Sequence, residues 1–195
     1  MLFRSESTGN IAPFGSSEVS LPCLAPKAPS IQEVLSGEEA EMFGRFREHI
    51  LRTDAEYAAH VKEVGMPNMY IDPAFEHGGR QYGAFVRNLA ARGLLRWTLH
   101  PREKVGIFFV RKKNGTLRMI CDARRANARF REPRSVSLAT GDSLSRLSVA
   151  NGEALYVGSL DLKDYFHALR IPREMSEYFC LPALTAGAEI GRAHV

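Results

Sequence analysis

Val105-Gly106-Ile107-Phe108-Phe109-Val110-Arg111-Lys112-Lys113-Asn114-Gly115-Thr116-Leu117-Arg118-Met119-Ile120-Cys121 is the stretch on which the fold turns. Its first six residues are β-branched or aromatic apart from Gly106, Asn114-Gly115 is the strongest short hairpin signal, and Thr116 to Cys121 returns as a second strand. The reading is a β-hairpin with a basic tip. Arg111, Lys112, Lys113 and Arg118 stand on both arms of the turn. A lysine meets a phosphate as a point charge, whereas an arginine grips it bidentately.

The hairpin lies inside a wider basic block. Arg80 to Arg134 holds 15 Lys/Arg against Glu103, Asp122 and Glu132, a local charge of +12 in a chain of net charge +4, so the remainder carries −8. Clustered cations neutralise phosphates and release their counterions, which points to a polyanionic partner. A solvated basic face is the competing reading, and charge alone leaves the two even.

With 195 residues and 45% apolar composition the chain is long enough to bury one sizeable core. No apolar run approaches the roughly 20 residues that span a bilayer, and the start, Met1-Leu2-Phe3-Arg4-Ser5-Glu6, lacks a signal-peptide layout. The expectation is a soluble intracellular protein, cytoplasmic or nuclear, with no membrane partner. Cys23, Cys121 and Cys180 have no CxxC spacing and are too few for a disulfide framework or a zinc site.

Upstream of the hairpin, residues 1–35 read as a Ser/Pro/Gly-rich disordered or extended arm and residues 36–100 as a helical extension. Ser36 caps a helix expected over about 37–51, with Met42, Phe43, Phe46 and Ile50 at helical spacing. A second helix is expected from Asp54 to Val64, stopped by Gly65, and a third from Gly79 to Trp97. Downstream, Pro133 to Asn151 reads as loop with a short helix near Asp142 to Leu147. Ala154 to Leu162 reads as a buried-type strand, Lys163 to Leu169 as a helical turn, and Tyr178 to Pro182 as a short strand.

In Ser159-Leu160-Asp161-Leu162-Lys163-Asp164-Tyr165-Phe166-His167 a carboxylate stands at the mouth of an apolar strand, with a second one three residues later. That spacing can turn both groups, or a carboxylate and a backbone carbonyl, toward one divalent cation. A hard cation such as Mg²⁺ prefers oxygen ligands and leaves room for substrate phosphates. Two aspartates near a strand end are also ordinary turn residues, and Asp164 serves equally well as a cap.

Two blocks together resemble the reverse transcriptases of retroviruses and long-terminal-repeat retrotransposons. The first is Phe109 through Arg118-Met119-Ile120-Cys121-Asp122-Ala123-Arg124-Arg125-Ala126-Asn127, similar to the family's fingers hairpin. The second is Leu160-Asp161-Leu162-Lys163-Asp164-Tyr165-Phe166-His167-Ala168-Leu169-Arg170-Ile171-Pro172, similar to its first palm motif. The resemblance covers roughly residues 101–183. It departs at Arg111 for the usual lysine, and at Leu117 and Ala123 where aromatics are common.

The resemblance implies an α+β fold: a helical N-terminal extension, a fingers β-hairpin and an incomplete palm of a right-hand polymerase over residues 101–188. It implies that Asp161 is the first metal-binding aspartate, that Leu162 lends its backbone carbonyl, and that Lys112 and Arg118 hold the incoming triphosphate. Phe166 matches the steric gate, where a ring collides with a 2′-hydroxyl and selects deoxynucleotides. The implied partners are an RNA or DNA template-primer and a deoxynucleoside triphosphate, with two Mg²⁺ ions, or Mn²⁺, in the complete enzyme. The oligomeric state is left open.

The family's Tyr-x-Asp-Asp hairpin occurs nowhere in the chain, so this chain is expected to be an inactive fragment. A non-catalytic nucleic-acid-binding remnant of a retroelement is the alternative. Residues 189–195, ending Ile190-Gly191-Arg192-Ala193-His194-Val195, match the translation of a sequencing-library adapter, and the authentic reading frame is expected to run on past about Ala188.

Overall fold

The computed structural model describes residues 11–22, 28–76, 79–133, 140–162 and 165–184. Cys23, Lys163, Asp164, the Phe166 side chain and the terminal Ile190 to Val195 lie outside the described residues. Along the chain run α1 (Ile31–Val34), α2 (Gly37–Gly44), α3 (Phe46–His49), α4 (Asp54–Val64), α5 (Arg80–Ala91), β1 (Gly106–Arg111), β2 (Leu117–Asp122), α6 (Arg124–Asn127), α7 (Gly141–Ser145) and α8 (Arg173–Ser176). A 3₁₀ turn, Tyr165–His167, precedes α8. The class is α+β, with one two-stranded antiparallel sheet among the described residues.

β1 and β2 form the expected hairpin, with Val110 opposite Arg118 and Arg111 opposite Leu117. Its turn differs from the two-residue form that Asn114-Gly115 signals. The Lys112 N–H donates to the Thr116 carbonyl at 2.8 Å and the Gly115 N–H to the Lys112 carbonyl at 3.0 Å, so the loop is Lys113-Asn114-Gly115. Gly115 takes φ +85°, the left-handed position that a three-residue hairpin loop reserves for glycine. The glycine signal is used, one register place later than a two-residue turn would use it.

An isolated hairpin is marginal in water, and this one is held by what packs on it. Ile107, Phe109 and Leu117 face inward and are at most 1% exposed. Against them α5 lays Tyr82, Phe85, Val86 and Leu89, the buried side of an amphipathic helix. Phe75 stacks on Phe85 with ring centroids 5.3 Å apart, and Phe109 meets both rings edge-on at 5.8 and 5.6 Å. The Tyr82 hydroxyl donates to the Pro182 carbonyl at 2.6 Å, and burial raises its pKa.

Both outer edges of the hairpin are partly closed. On β1 the Asp72 N–H reaches the Ile107 carbonyl at 2.7 Å and the Ala12 N–H reaches that of Phe109 at 3.0 Å. On β2 the Leu117 N–H donates to the Glu18 carbonyl and the Ser20 N–H to the Leu117 carbonyl, both at 2.8 Å. Residues 11–22 of the expected arm are therefore extended but built into the core, with Phe14 packed on Phe75, Phe85 and Phe109. The core also runs across the expected boundary near residue 100, since α5 and the hairpin share it.

Several local expectations change. The helix expected over 37–51 breaks at Arg45 (φ −112°, ψ 38°) into α2 and α3. α4 runs from Asp54 to Val64 and stops at Gly65 as expected, with Thr53 capping it in a reciprocal box with Glu56. α5 ends at Ala91, with Gly93 at φ +71° just beyond, so Leu94 to Trp97 leave the helix. The short strand at Tyr178 to Pro182 reduces to one bridge between Cys180 and Lys104.

The largest correction concerns Ala154 to Leu162. These residues form no strand and are exposed, with Tyr156 91% and Leu160 86% accessible. A buried strand needs neighbours for its backbone groups and its side chains, and the described residues provide neither. A second, smaller core gathers Phe46, Leu51 and Met175, beside which Phe130 stacks on Phe179 at 5.4 Å. Among the described residues no helix is long and apolar enough to cross a membrane.

Gly106 marks the tightest approach in the fold, because a Cβ there would stand 1.8 Å from the Tyr70 carbonyl oxygen. We expect Gly106→Ala to cost about 3 kcal/mol in urea unfolding, since backbone on both sides must move. Gly44→Ala, at a helical position with open space around it, should be neutral or stabilising by up to about 1 kcal/mol.

Candidate polyanion-binding site

Most arginines of the basic block are committed to internal partners. Arg124 clasps the buried Asp122 through Nε at 2.8 Å and Nη2 at 2.6 Å, and the Tyr70 N–H adds a bond at 2.8 Å. Burial works to raise the Asp122 pKa, but the Arg124 guanidinium and the backbone N–H groups of Tyr70 and Arg124 outweigh it and hold the carboxyl below its ordinary value. Asp122 and Arg124 are thus a structural ion pair.

Glu103, 7% exposed, lies between Arg125 at 3.4 Å and Arg129 at 3.6 Å. The Arg129 guanidinium also covers the Tyr57 ring, 3.6 Å from its centroid. Arg131 pairs with Glu56 at 2.9 Å and donates to the Glu48 carbonyl at 2.6 Å. Arg111 reaches Glu18 at 2.7 Å and Arg102 approaches Glu177 at 3.7 Å. These contacts tie α3, α4 and the segment 11–22 to the hairpin and to α6.

The hairpin tip is different. Lys112, Lys113 and Arg118 make no side-chain hydrogen bond or ion pair with the described residues. The register that sets Val110 against Arg118, continued by the backbone bond from Lys112 to Thr116, puts Lys112 and Arg118 on one face. That face is opposite to Ile107, Phe109 and Leu117. Two cations on one face, neither paired with a carboxylate among the described residues, have the charge to receive a polyphosphate.

Asp161 and Leu162 are exposed on the 154–162 segment, and Asp161 makes no ion pair with Lys112 or Arg118. The backbone of Phe166 lies in the 3₁₀ turn. Among the described residues no group of three or more His, Cys, Asp or Glu converges.

A second feature was missed in the sequence. A cleft of about 650 Å³ opens between 95–101 and 173–184, floored by Tyr82 and Val86 and rimmed by Arg96, Trp97, Leu99 and Arg173. Its walls lie far apart along the chain, so spacing arguments do not find it. The one local hint was an apolar-cationic alternation, Arg96-Trp97-Thr98-Leu99-His100, just past the helix.

Comparison with family models, with curated proteins and with solved structures found no match to this chain.

Asp122→Asn should cost about 2 kcal/mol near neutral pH, because the Arg124 fork loses its charged acceptor. A depressed carboxylate stabilises the fold above its unfolded pKa of about 3.9 and loses that contribution as pH falls through the folded value. The gap between wild type and variant in urea unfolding should therefore close as pH falls below about 4.

Proposed function

We propose that the chain serves as the fingers and opening palm of a reverse-transcriptase-like RNA-directed DNA polymerase. In the complete enzyme, deoxynucleotides are added to a primer 3′-hydroxyl on a template. Here the hairpin face of Lys112 and Arg118 binds the triphosphate of the incoming deoxynucleotide. The observation that carries this reading is the sorting of charge: Arg111, Arg124, Arg125, Arg129 and Arg131 are consumed by carboxylates, while Lys112, Lys113 and Arg118 have no such partner among the described residues.

The roles of Asp161 as first catalytic carboxylate, of Leu162 as carbonyl donor and of Phe166 as sugar gate rest on the resemblance. With no Tyr-x-Asp-Asp in the chain, it is proposed to bind without catalysing. The exposure of Asp161 on a segment that forms no strand favours a second reading, a nucleic-acid-binding remnant of a retroelement in which Asp161 has no catalytic role.

Binding of a fluorescent RNA–DNA template-primer, followed by anisotropy against salt, tests the hairpin. In the double variant Lys112→Ala/Arg118→Ala, affinity should fall roughly tenfold or more and the log–log salt slope should become shallower by about 2, without a change in melting temperature. An unchanged slope would remove the tip from the interface. Competition by a deoxynucleoside triphosphate, lost in the same variant, supports the polymerase reading; hybrid binding that the triphosphate never displaces supports the remnant.

A further inference from the structure

The cleft beside α5 contains none of Lys112, Arg118 or Asp161. Its floor is fixed: the Arg102 N–H donates to the Glu177 carbonyl at 2.8 Å, the Val105 N–H to that of Cys180 at 2.8 Å, and Tyr82 bonds Pro182. Its volume falls within the range of about 300–1,000 Å³ typical of small-molecule and cofactor sites. On the rim Trp97 is 61% exposed and Leu99 92%, an unusual outlay of apolar surface for a water-facing loop.

The charges around that apolar surface decide what it fits. Arg96 and Arg173 line the cleft, and their guanidinium groups make no hydrogen bond or ion pair with the described residues. The carboxylate in the lining, Glu177, is approached by Arg102 at 3.7 Å. A flat aromatic face bordered by two uncompensated guanidinium groups matches a ligand that is itself a flat ring joined to anions. Bases stack on aromatic side chains whatever their sequence, and arginines beside them take the backbone phosphates.

We infer that this cleft is a second nucleic-acid site, holding an unstacked base of a single strand on Trp97 with the adjoining phosphates on Arg96 and Arg173. The inference rests on the polyanion-binding reading above and extends it from the hairpin to a separate surface. The two surfaces differ in kind. The hairpin offers charge alone, whereas the cleft offers a ring and charge, and so selects strands whose bases are accessible over a closed duplex.

Trp97 is the single tryptophan of the chain, which makes its emission a direct reporter of this cleft. The full chain is titrated with an oligodeoxythymidylate of about eight nucleotides, a length within the usual single-strand site size. Saturable quenching is expected in the wild type and in Lys112→Ala/Arg118→Ala. Arg96→Ala/Arg173→Ala should weaken it at least about fivefold, and Trp97→Ala should weaken binding of a labelled oligonucleotide by a similar factor. All five positions are exposed or half-buried, and melting temperature checks the fold of each variant.

Oligonucleotide binding detected by anisotropy without any change in Trp97 emission would overturn the cleft and leave the hairpin reading standing. So would quenching that disappears with the hairpin variant yet survives Arg96→Ala/Arg173→Ala. If the oligonucleotide binds by neither readout, the cleft proposal fails; the template-primer titration then decides the hairpin independently.

Discussion

The edge-on packing of Phe109 against the Phe75 and Phe85 rings is the contact through which the rest of the molecule is assembled. Two short strands cannot bury enough surface to stand alone in water. Here one strand face is pressed onto α5 and Phe14, while backbone groups of Asp72, Ala12, Glu18 and Ser20 occupy its outer edges. Each buried aromatic adds about 1.5–3 kcal/mol of transfer free energy. The basic tip is thus presented by a rigid hairpin, and the entropy of ordering it is met by the core.

The same architecture divides the arginines into two populations. Where the chain after β2 returns beside α3 and α4, carboxylates on Asp122, Glu103 and Glu56 are within reach, and the guanidinium groups close the structure. Glu103 is buried with two arginines beside it, an arrangement in which removing the carboxylate strands positive charge away from water. At the tip Glu18 is taken by Arg111, and the side chains of Lys112, Lys113 and Arg118 make no hydrogen bond or ion pair with the described residues. A block of +12 in the sequence is therefore much less cationic as a surface than its composition implies.

Legibility followed the range of the interaction. The hairpin, the stop of α4 at Gly65 and the short helix near Asp142 depend on neighbouring residues, and each was readable within a few positions. The break at Arg45 and the early end of α5 were not, because apolar spacing continues through both points while the backbone turns to meet the second core and the cleft. Ala154 to Leu162 has the composition of a buried strand, yet composition supplies no partner strand, and the segment stays exposed. Of the candidate site, the turn marked Arg111, Lys112, Lys113 and Arg118 as a basic tip and the resemblance singled out Lys112 and Arg118, while Arg96, Trp97 and Arg173 were not identified.

By itself the sequence determined the local turns, the alternation that gives the hairpin an apolar face and a cationic tip, and the stock of charge available for binding. These properties follow from φ preferences, side-chain periodicity and residue identity, all set within a few bonds. Only the tertiary structure decided which cations remain available. Arg131 meets Glu56 and Arg111 meets Glu18 across long spans of chain, and Coulomb attraction depends on distance in space. The cleft is likewise a product of two distant segments brought together by backbone bonds between Arg102, Val105, Glu177 and Cys180.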